Sequence, residues 1–263
     1  MKTIAVVSTT GGAGRTTVAA TLAVLLARRG RDVVAIDFDW QNMLGAWLGL
    51  DALAPRGIGE ALLCASDTSG TSDTSGAWEH TWRNDDGVLF VPHGQLTLDE
   101  AAACDARLAA HPQWLRHAIA QIALPASGVA VIDTPRYPSR QAQQAACAAD
   151  LVLCVCPPDP AACATFVAHL PALLDACRDV RIVVNRLNPA REMQRDVLAM
   201  LRAAAGGVPV AQRIHMEAAL PEAFARGAWL MDEAPHTQAS HDLHGLAHHV
   251  DAWLPALEAS IAA

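Results

Sequence analysis

The stretch Ser8-Thr9-Thr10-Gly11-Gly12-Ala13-Gly14-Arg15-Thr16-Thr17 gathers the chemistry-bearing residues of this 263-residue chain. A glycine-rich turn between an apolar run and a helix lets successive backbone N–H groups curl inward around an anion, and the helix N-terminus adds positive potential. The backbone of Thr10, Gly11, Gly12, Ala13, Gly14, Arg15, Thr16 and Thr17 is therefore expected to wrap nucleotide phosphates, with Arg15 on the phosphate tail and the Thr16 hydroxyl offered to Mg2+. Two acidic positions complete the pattern. Asp39 follows the run Asp32–Asp37, where a carboxylate can orient or deprotonate a water attacking a terminal phosphate. Asp133 closes the run Val129–Ile132 and can hold Mg2+ through a water. Asp37 lies nearer the sheet, as support for the loop or for the metal's water shell. Asp39 and Arg15 are thus the catalytic candidates, and Thr16, Asp37, Asp39 and Asp133 the metal candidates.

Such a site needs strands whose C-terminal ends converge. Strand-length apolar runs recur at Ile4–Ser8, Asp32–Asp37, Val88–Val91, Val129–Ile132, Leu151–Val155 and Val180–Val184, with helical segments between them. Runs apolar on both faces indicate a parallel sheet covered on both sides. The expected fold is α/β: a single doubly wound, mostly parallel sheet with helices on both faces, spanning residues 1–263 as one domain. The first helix is expected from Arg15 to Arg29, with Gly30 past its end. The repeat SDTSGTSDTSG over Ser66–Gly76 reads as a surface loop. Residues 236–261 read as an amphipathic helix, with Leu243, Leu246, Ala247, Val250, Trp253, Leu254 and Leu257 on the face docked to the core. His241, His244 and His248 share its other face, as a solvated row or a zinc or nickel site.

Composition narrows the class. A hydrophobic share of 52% against 17% charged residues excludes a disordered chain. A net charge of −8, with Lys2 as the sole lysine, disfavours binding to nucleic-acid backbones. No apolar run is long enough to span a bilayer, and the first residues lack a signal peptide's core. Seven cysteines without a C-x-x-C spacing, among them Cys154 and Cys156 on one strand face, read as buried inert thiols in a reducing cytoplasm.

The loop resembles the deviant Walker A loop of the ParA/MinD-type P-loop ATPases, K-G-G-x-G-K-[ST]-[ST]. Asp37-Phe38-Asp39-Trp40-Gln41-Asn42 resembles that group's first switch, and Ile132-Asp133-Thr134-Pro135 its Walker B and second switch. Val184-Asn185-Arg186 is similar to the element that reads adenine. Ile214-His215-Met216-Glu217 with Ala225-Arg226-Gly227 is similar to the segment that closes the adenine site. The resemblance implies ATP and Mg2+ as cofactors, with Asn185, Arg186 and His215 on the nucleotide, and an ATP-dependent homodimer.

Two residues depart from the group. The lysine that reaches the partner's phosphates is here Thr10, and the second lysine is Arg15. A planar guanidinium is no neutral replacement for an ammonium. ATP binding with slow or negligible turnover is therefore expected, with Arg136 as a substitute cation, in cis or across a dimer. The altered loop, Val91–Glu100 and Asp133-Thr134-Pro135-Arg136 resemble the BcsQ (YhjQ) family encoded with bacterial cellulose synthase. That resemblance implies a cytoplasmic subunit recruited to the inner-membrane cellulose synthase complex, where it regulates assembly or localisation, with a small BcsR-like partner and BcsE as companions. No direct membrane insertion and no nucleic-acid partner are expected. Two alternatives stand beside a non-hydrolysing scaffold: an ATPase cycling between monomer and dimer, and a protein that positions DNA or another cargo.

Overall fold

A computed structural model describes residues 1–64, 74 and 76–261, with side chains given up to residue 254. All of Ser66–Gly76 except Thr74 and Gly76, and the side chain of Leu257, lie outside the described residues. Eight strands form one sheet: β1 (Lys2–Val7), β2 (Val33–Asp37), β3 (Trp82–Arg83), β4 (Leu89–Val91), β5 (Val129–Asp133), β6 (Leu151–Cys156), β7 (Val180–Leu187) and β8 (Val210–His215). Their order is β3-β4-β2-β5-β1-β6-β7-β8. Every neighbouring pair is parallel except β3 with β4. β3 has only two residues, both exposed, too few for an alternating pattern to mark it in the sequence.

Strand pleating divides the core. Ala5, Val7, Val34 and Ile36 pack on one face of the sheet, while Ile4, Val6, Val33 and Ala35 pack on the other. This is why the central runs are continuously apolar. The helix Arg15–Arg28 is buried from Val18 through Leu26 without a break. It lies between the sheet and the helix Gln238–Ile261, so no side of its middle turns faces water. Its end is a Schellman-type turn. Gly30 at φ 85° donates its N–H to Ala27 O (2.8 Å), and Arg31 donates to Leu26 O (3.2 Å).

The C-terminal helix seals that layer with Leu243, Leu246, Ala247, Val250, Trp253 and Leu254. Arg31 pairs with Asp251 at 2.8 Å, and the Trp253 indole N–H donates to Asp179 Oδ2 at 2.7 Å. His241, His244 and His248 face solvent, and no group of metal-binding side chains forms among the described residues. All seven cysteines are free, and Cys154 and Cys156 are buried. No helix among the described residues is long and apolar enough to cross a membrane.

Leu246 is 1% exposed in this layer. Leu246→Ala is expected to lower the unfolding free energy by about 2–5 kcal/mol, measured by urea denaturation. A loss well under that range would mean that the helix does not share the core.

Candidate functional site

The loop after β1 is fixed from several sides. Ser8 O accepts the N–H of Tyr137 (2.9 Å), and Thr9 Oγ1 bonds Thr165 Oγ1 (3.0 Å) on the helix Pro160–Ala176. Gly14 is the N-cap of the helix Arg15–Arg28 at φ 93°, a conformation that side chains rarely adopt. A Cβ there would stand 2.4 Å from Asn185 Nδ2. That amide donates to Ala13 O (2.8 Å), and Arg186, itself at φ 64°, donates from Nη1 to Gly12 O (3.2 Å). The end of β7 thus braces the loop from behind and leaves Gly11 and Gly12 exposed.

Arg15 joins three strand ends. Its Nε donates to Thr134 O (2.7 Å), its Nη1 donates to Thr10 O (3.0 Å), and its Nη2 stands 3.8 Å from Asp39 Oδ2. Arg15 and Asp39 are nearly buried, with side chains 12% and 7% exposed. Asp39 Oδ1 accepts the Gln41 N–H (3.1 Å). Asp37 is fully buried, and both oxygens are occupied, Oδ1 by Asp39 N–H (3.1 Å) and Oδ2 by Leu44 N–H (2.9 Å). These contacts hold the segment from Asp39 to Leu44 that follows β2.

Asp133 is the direct cross-strand neighbour of Asp37. Its Oδ1 accepts Thr134 N–H (3.0 Å), and its Oδ2 is buried with no hydrogen-bond partner among the described residues. Burial, with the Asp39 charge adding to it, pushes the Asp133 carboxyl up to about 7. The Thr16 hydroxyl, Arg15 and the Thr134 N–H pull the other way. Asp37 is raised well above the ordinary range by burial and by Asp133. An unpartnered carboxylate oxygen beside a threonine hydroxyl, at the mouth of a phosphate-type loop, suits a hydrated Mg2+.

A cleft of about 340 Å3 opens on the far side of Gly12 and Gly14, lined by Thr17, Asn185, His215, Leu220 and Pro221 among others. His215 is held by Asp242 on the C-terminal helix, whose Oδ2 takes both its backbone N–H (2.9 Å) and Nδ1 (2.7 Å). Arg136 is exposed on the turn after Pro135. The structure therefore gathers Thr10 to Thr17, Asp37, Asp39, Asp133, Asn185, Arg186 and His215 at the C-terminal edge of the sheet, where open α/β sheets bind ligands. Sequence reasoning missed the carbonyls of Thr10 and Thr134 as acceptors for Arg15, because backbone groups carry no residue signature. It also assigned no role to His93, which lies at the edge of this site.

The family described as cellulose biosynthesis protein BcsQ matches residues 1–250. No protein of curated function matches the chain by sequence. Among solved structures, the septum site-determining protein MinD of Pyrococcus horikoshii with Mg-ADP aligns at TM-score 0.73 and 21% identity, over 95% of this chain and 96% of that one. The ATP complex of a single-residue variant of Cyanothece McdA aligns at 0.75 and 18%, over 95% and 96%. MinD in the Aquifex aeolicus MinC:MinD complex aligns at 0.69 and 18%, over 95% of each chain. At these identities the likeness is one of fold, and the fold is that of the MinD-type α/β P-loop proteins.

The raised Asp133 carboxyl carries a pH signature. A carboxyl whose folded value lies above its unfolded value of about 4 favours folding at low pH and loses that contribution as pH rises through about 7. Without nucleotide or metal, Asp133→Asn is expected to gain stability over wild type at pH 8, with the gap closing toward pH 4. Thermal denaturation across that range checks it; a gap independent of pH would contradict the assignment.

Proposed function

This chain belongs to the cellulose biosynthesis protein BcsQ family, and on that premise we propose that it is a Mg·ATP-binding switch that assembles or positions a cellulose secretion machine. The observation that carries this reading is the loop Thr10–Thr17, with Gly12 and Gly14 at positive φ, opening onto the unpartnered Asp133 Oδ2. Backbone N–H groups of the loop hold the phosphates, while Asn185, Arg186 and His215 border the cleft that receives adenine. Thr16, Asp39 and Asp133 hold Mg2+, directly or through water, with Asp37 shaping the segment that carries Asp39. When bound, Mg2+ neutralises charge on the phosphate tail. Structures of similar fold contain Mg-ADP or ATP, which supports the same ligands here.

Slow turnover follows from Arg15. Its Nε and Nη1 bond Thr134 O and Thr10 O, and its Nη2 faces Asp39. A γ-phosphate that takes Nη2 competes with Asp39, and one that takes the whole outer edge of the fork competes with Thr10 O as well. The planar fork is bulkier than the ammonium it replaces and follows charge onto the transferring phosphate less closely. A lysine, with one compact charge, does not span these three groups. The nucleotide then serves chiefly to favour one state over another, by as much as its differential affinity for the two. The favoured state is a homodimer with two nucleotides at its seam. Thr10 is too short to cross, and Arg136, exposed at the same edge, makes the contact to the second copy's phosphates. A BcsR-like small protein and BcsE at the cytoplasmic side of the synthase complex are the companions.

Calorimetry with Mg·ATP is expected to show saturable binding of one nucleotide per chain, with phosphate release near background. Arg15→Ala is expected to weaken binding about tenfold or more, about 1.4 kcal/mol, and Arg15→Lys to raise turnover. Mass measurement is expected to show an ATP-dependent dimer that Arg136→Ala weakens. Rapid phosphate release by the wild type, abolished in Asp39→Ala, would replace the scaffold with a cycling ATPase.

A further inference from the structure

His93 is fully buried, yet half of its hydrogen-bonding capacity is unused. Its Nδ1 lies 3.0 Å from Gly94 O. A carbonyl can only accept, so Nδ1 carries the proton and Nε2 is a bare acceptor. Nε2 has no partner among the described residues. Burial lowers the proton affinity of the ring, which keeps it neutral, and Asp39 is near enough for its charge to act on the ring. Buried acceptors without partners are rare and costly, so this one calls for an explanation.

The ring is held in a close-fitting cage. A Cβ at Gly59 would stand 2.8 Å from His93 Cε1, and Gly94 takes φ 85° beside the ring. The same turn is tied to the segment that carries Asp39. Gly94 donates its N–H to Asn42 Oδ1 (3.1 Å), and Asn42 Nδ2 donates to Ala54 O (2.8 Å). Between Asp39 and Asn42 sits Trp40, half-buried, with its ring centroid 6.2 Å from that of His93 at a tilt of 49°. No described residue accepts from the Trp40 indole N–H. The ring that carries this donor thus adjoins the ring that carries the unused acceptor. Two rings joined by an in-plane N–H···N bond of about 3 Å stand at nearly this centroid separation, so Trp40 needs to turn rather than travel.

We propose that His93 is a positioning residue for Asp39: its Nε2 receives the Trp40 indole N–H when Mg·ATP draws Arg15 away from Asp39, and this bond fixes the Asp39–Asn42 segment in its nucleotide-bound arrangement. This rests on the Mg·ATP site proposed above. His93 touches neither phosphate nor metal. It acts through Trp40. The neutral imidazole gives the interaction direction, because an acceptor locked by Gly94 can take only a donor.

The test uses the full chain with 15N-labelled histidine, after calorimetry has established Mg·ATP binding. One imidazole in the Nδ1–H form is expected to show its Nε2 resonance move to a hydrogen-bonded position when Mg·ATP is added. That resonance is absent in His93→Gln, and in Trp40→Phe it is present but does not move. Amide exchange of residues 39–44 with Mg·ATP bound is expected to quicken on the order of tenfold in Trp40→Phe and His93→Phe. His93→Gln, whose side-chain oxygen can accept in place of Nε2, restores protection. Trp40→Phe changes a half-exposed side chain and keeps the test open if His93→Phe fails to fold. Tight Mg·ATP binding with an unmoved Nε2 resonance, or with the shift intact in Trp40→Phe, overturns the proposal and leaves the site standing. No Mg·ATP binding in the wild type overturns both.

Discussion

The contact on which this site depends is the guanidinium of Arg15 lodged between three strand ends. It bonds the carbonyl of Thr10 after β1 and the carbonyl of Thr134 after β5, and faces the carboxylate of Asp39 after β2. These segments belong to adjacent strands in the order β2-β5-β1, so one side chain reads the relative position of the loop, the acid that closes β5 and the acid beyond β2. The planar fork makes this possible, since its N–H groups leave in fixed directions within one plane. It also imposes a constraint: any phosphate that claims the guanidinium must loosen at least one of the three.

The acids around it explain why such a cation is needed. Asp37 and Asp133 are direct neighbours across β2 and β5, both fully buried, with Asp39 beside them. Uncompensated charge there would be costly, and the protein meets it in different ways. Asp37 is satisfied by two backbone N–H groups, Asp39 faces Arg15, and Asp133 keeps one oxygen bare. On the other side of the loop, Asn185 and Arg186 hold the carbonyls of Ala13 and Gly12, with Arg186 in a left-handed conformation. Such local strain is borne where surrounding contacts over-determine it, and here it keeps the loop open toward the cleft bordered by His215.

Much of this was legible in the residues. Continuous apolar runs marked six of the strands, because a parallel sheet buries both faces. Gly11, Gly12 and Gly14 before a helix marked the loop, because backbone curvature of that kind needs glycine. Asp39 was visible as an acid just past the end of β2, and Asp133 as the acid that closes β5. What stayed hidden depended on the third dimension. The two-residue β3 has no pattern to read. Arg15 meets backbone carbonyls separated from it by 119 residues in one case and 5 in the other, and a carbonyl looks alike at every position. His93 lay within a quoted stretch without a role, since only burial and the fixed tautomer expose its bare nitrogen. His215 was marked by resemblance, but its anchor Asp242 sits on the terminal helix, 27 residues away.

The most direct measurement is a crystal structure of the full chain grown with Mg2+ and a non-hydrolysable ATP analogue. The phosphate chain is expected along the N–H groups of residues 11–17, with the metal beside Thr16 and Asp133 and the Arg15 guanidinium moved off Thr10 O onto the terminal phosphate. An analogue bound elsewhere, or phosphates in the loop with Arg15 still bonded to both Thr10 O and Thr134 O, would contradict this.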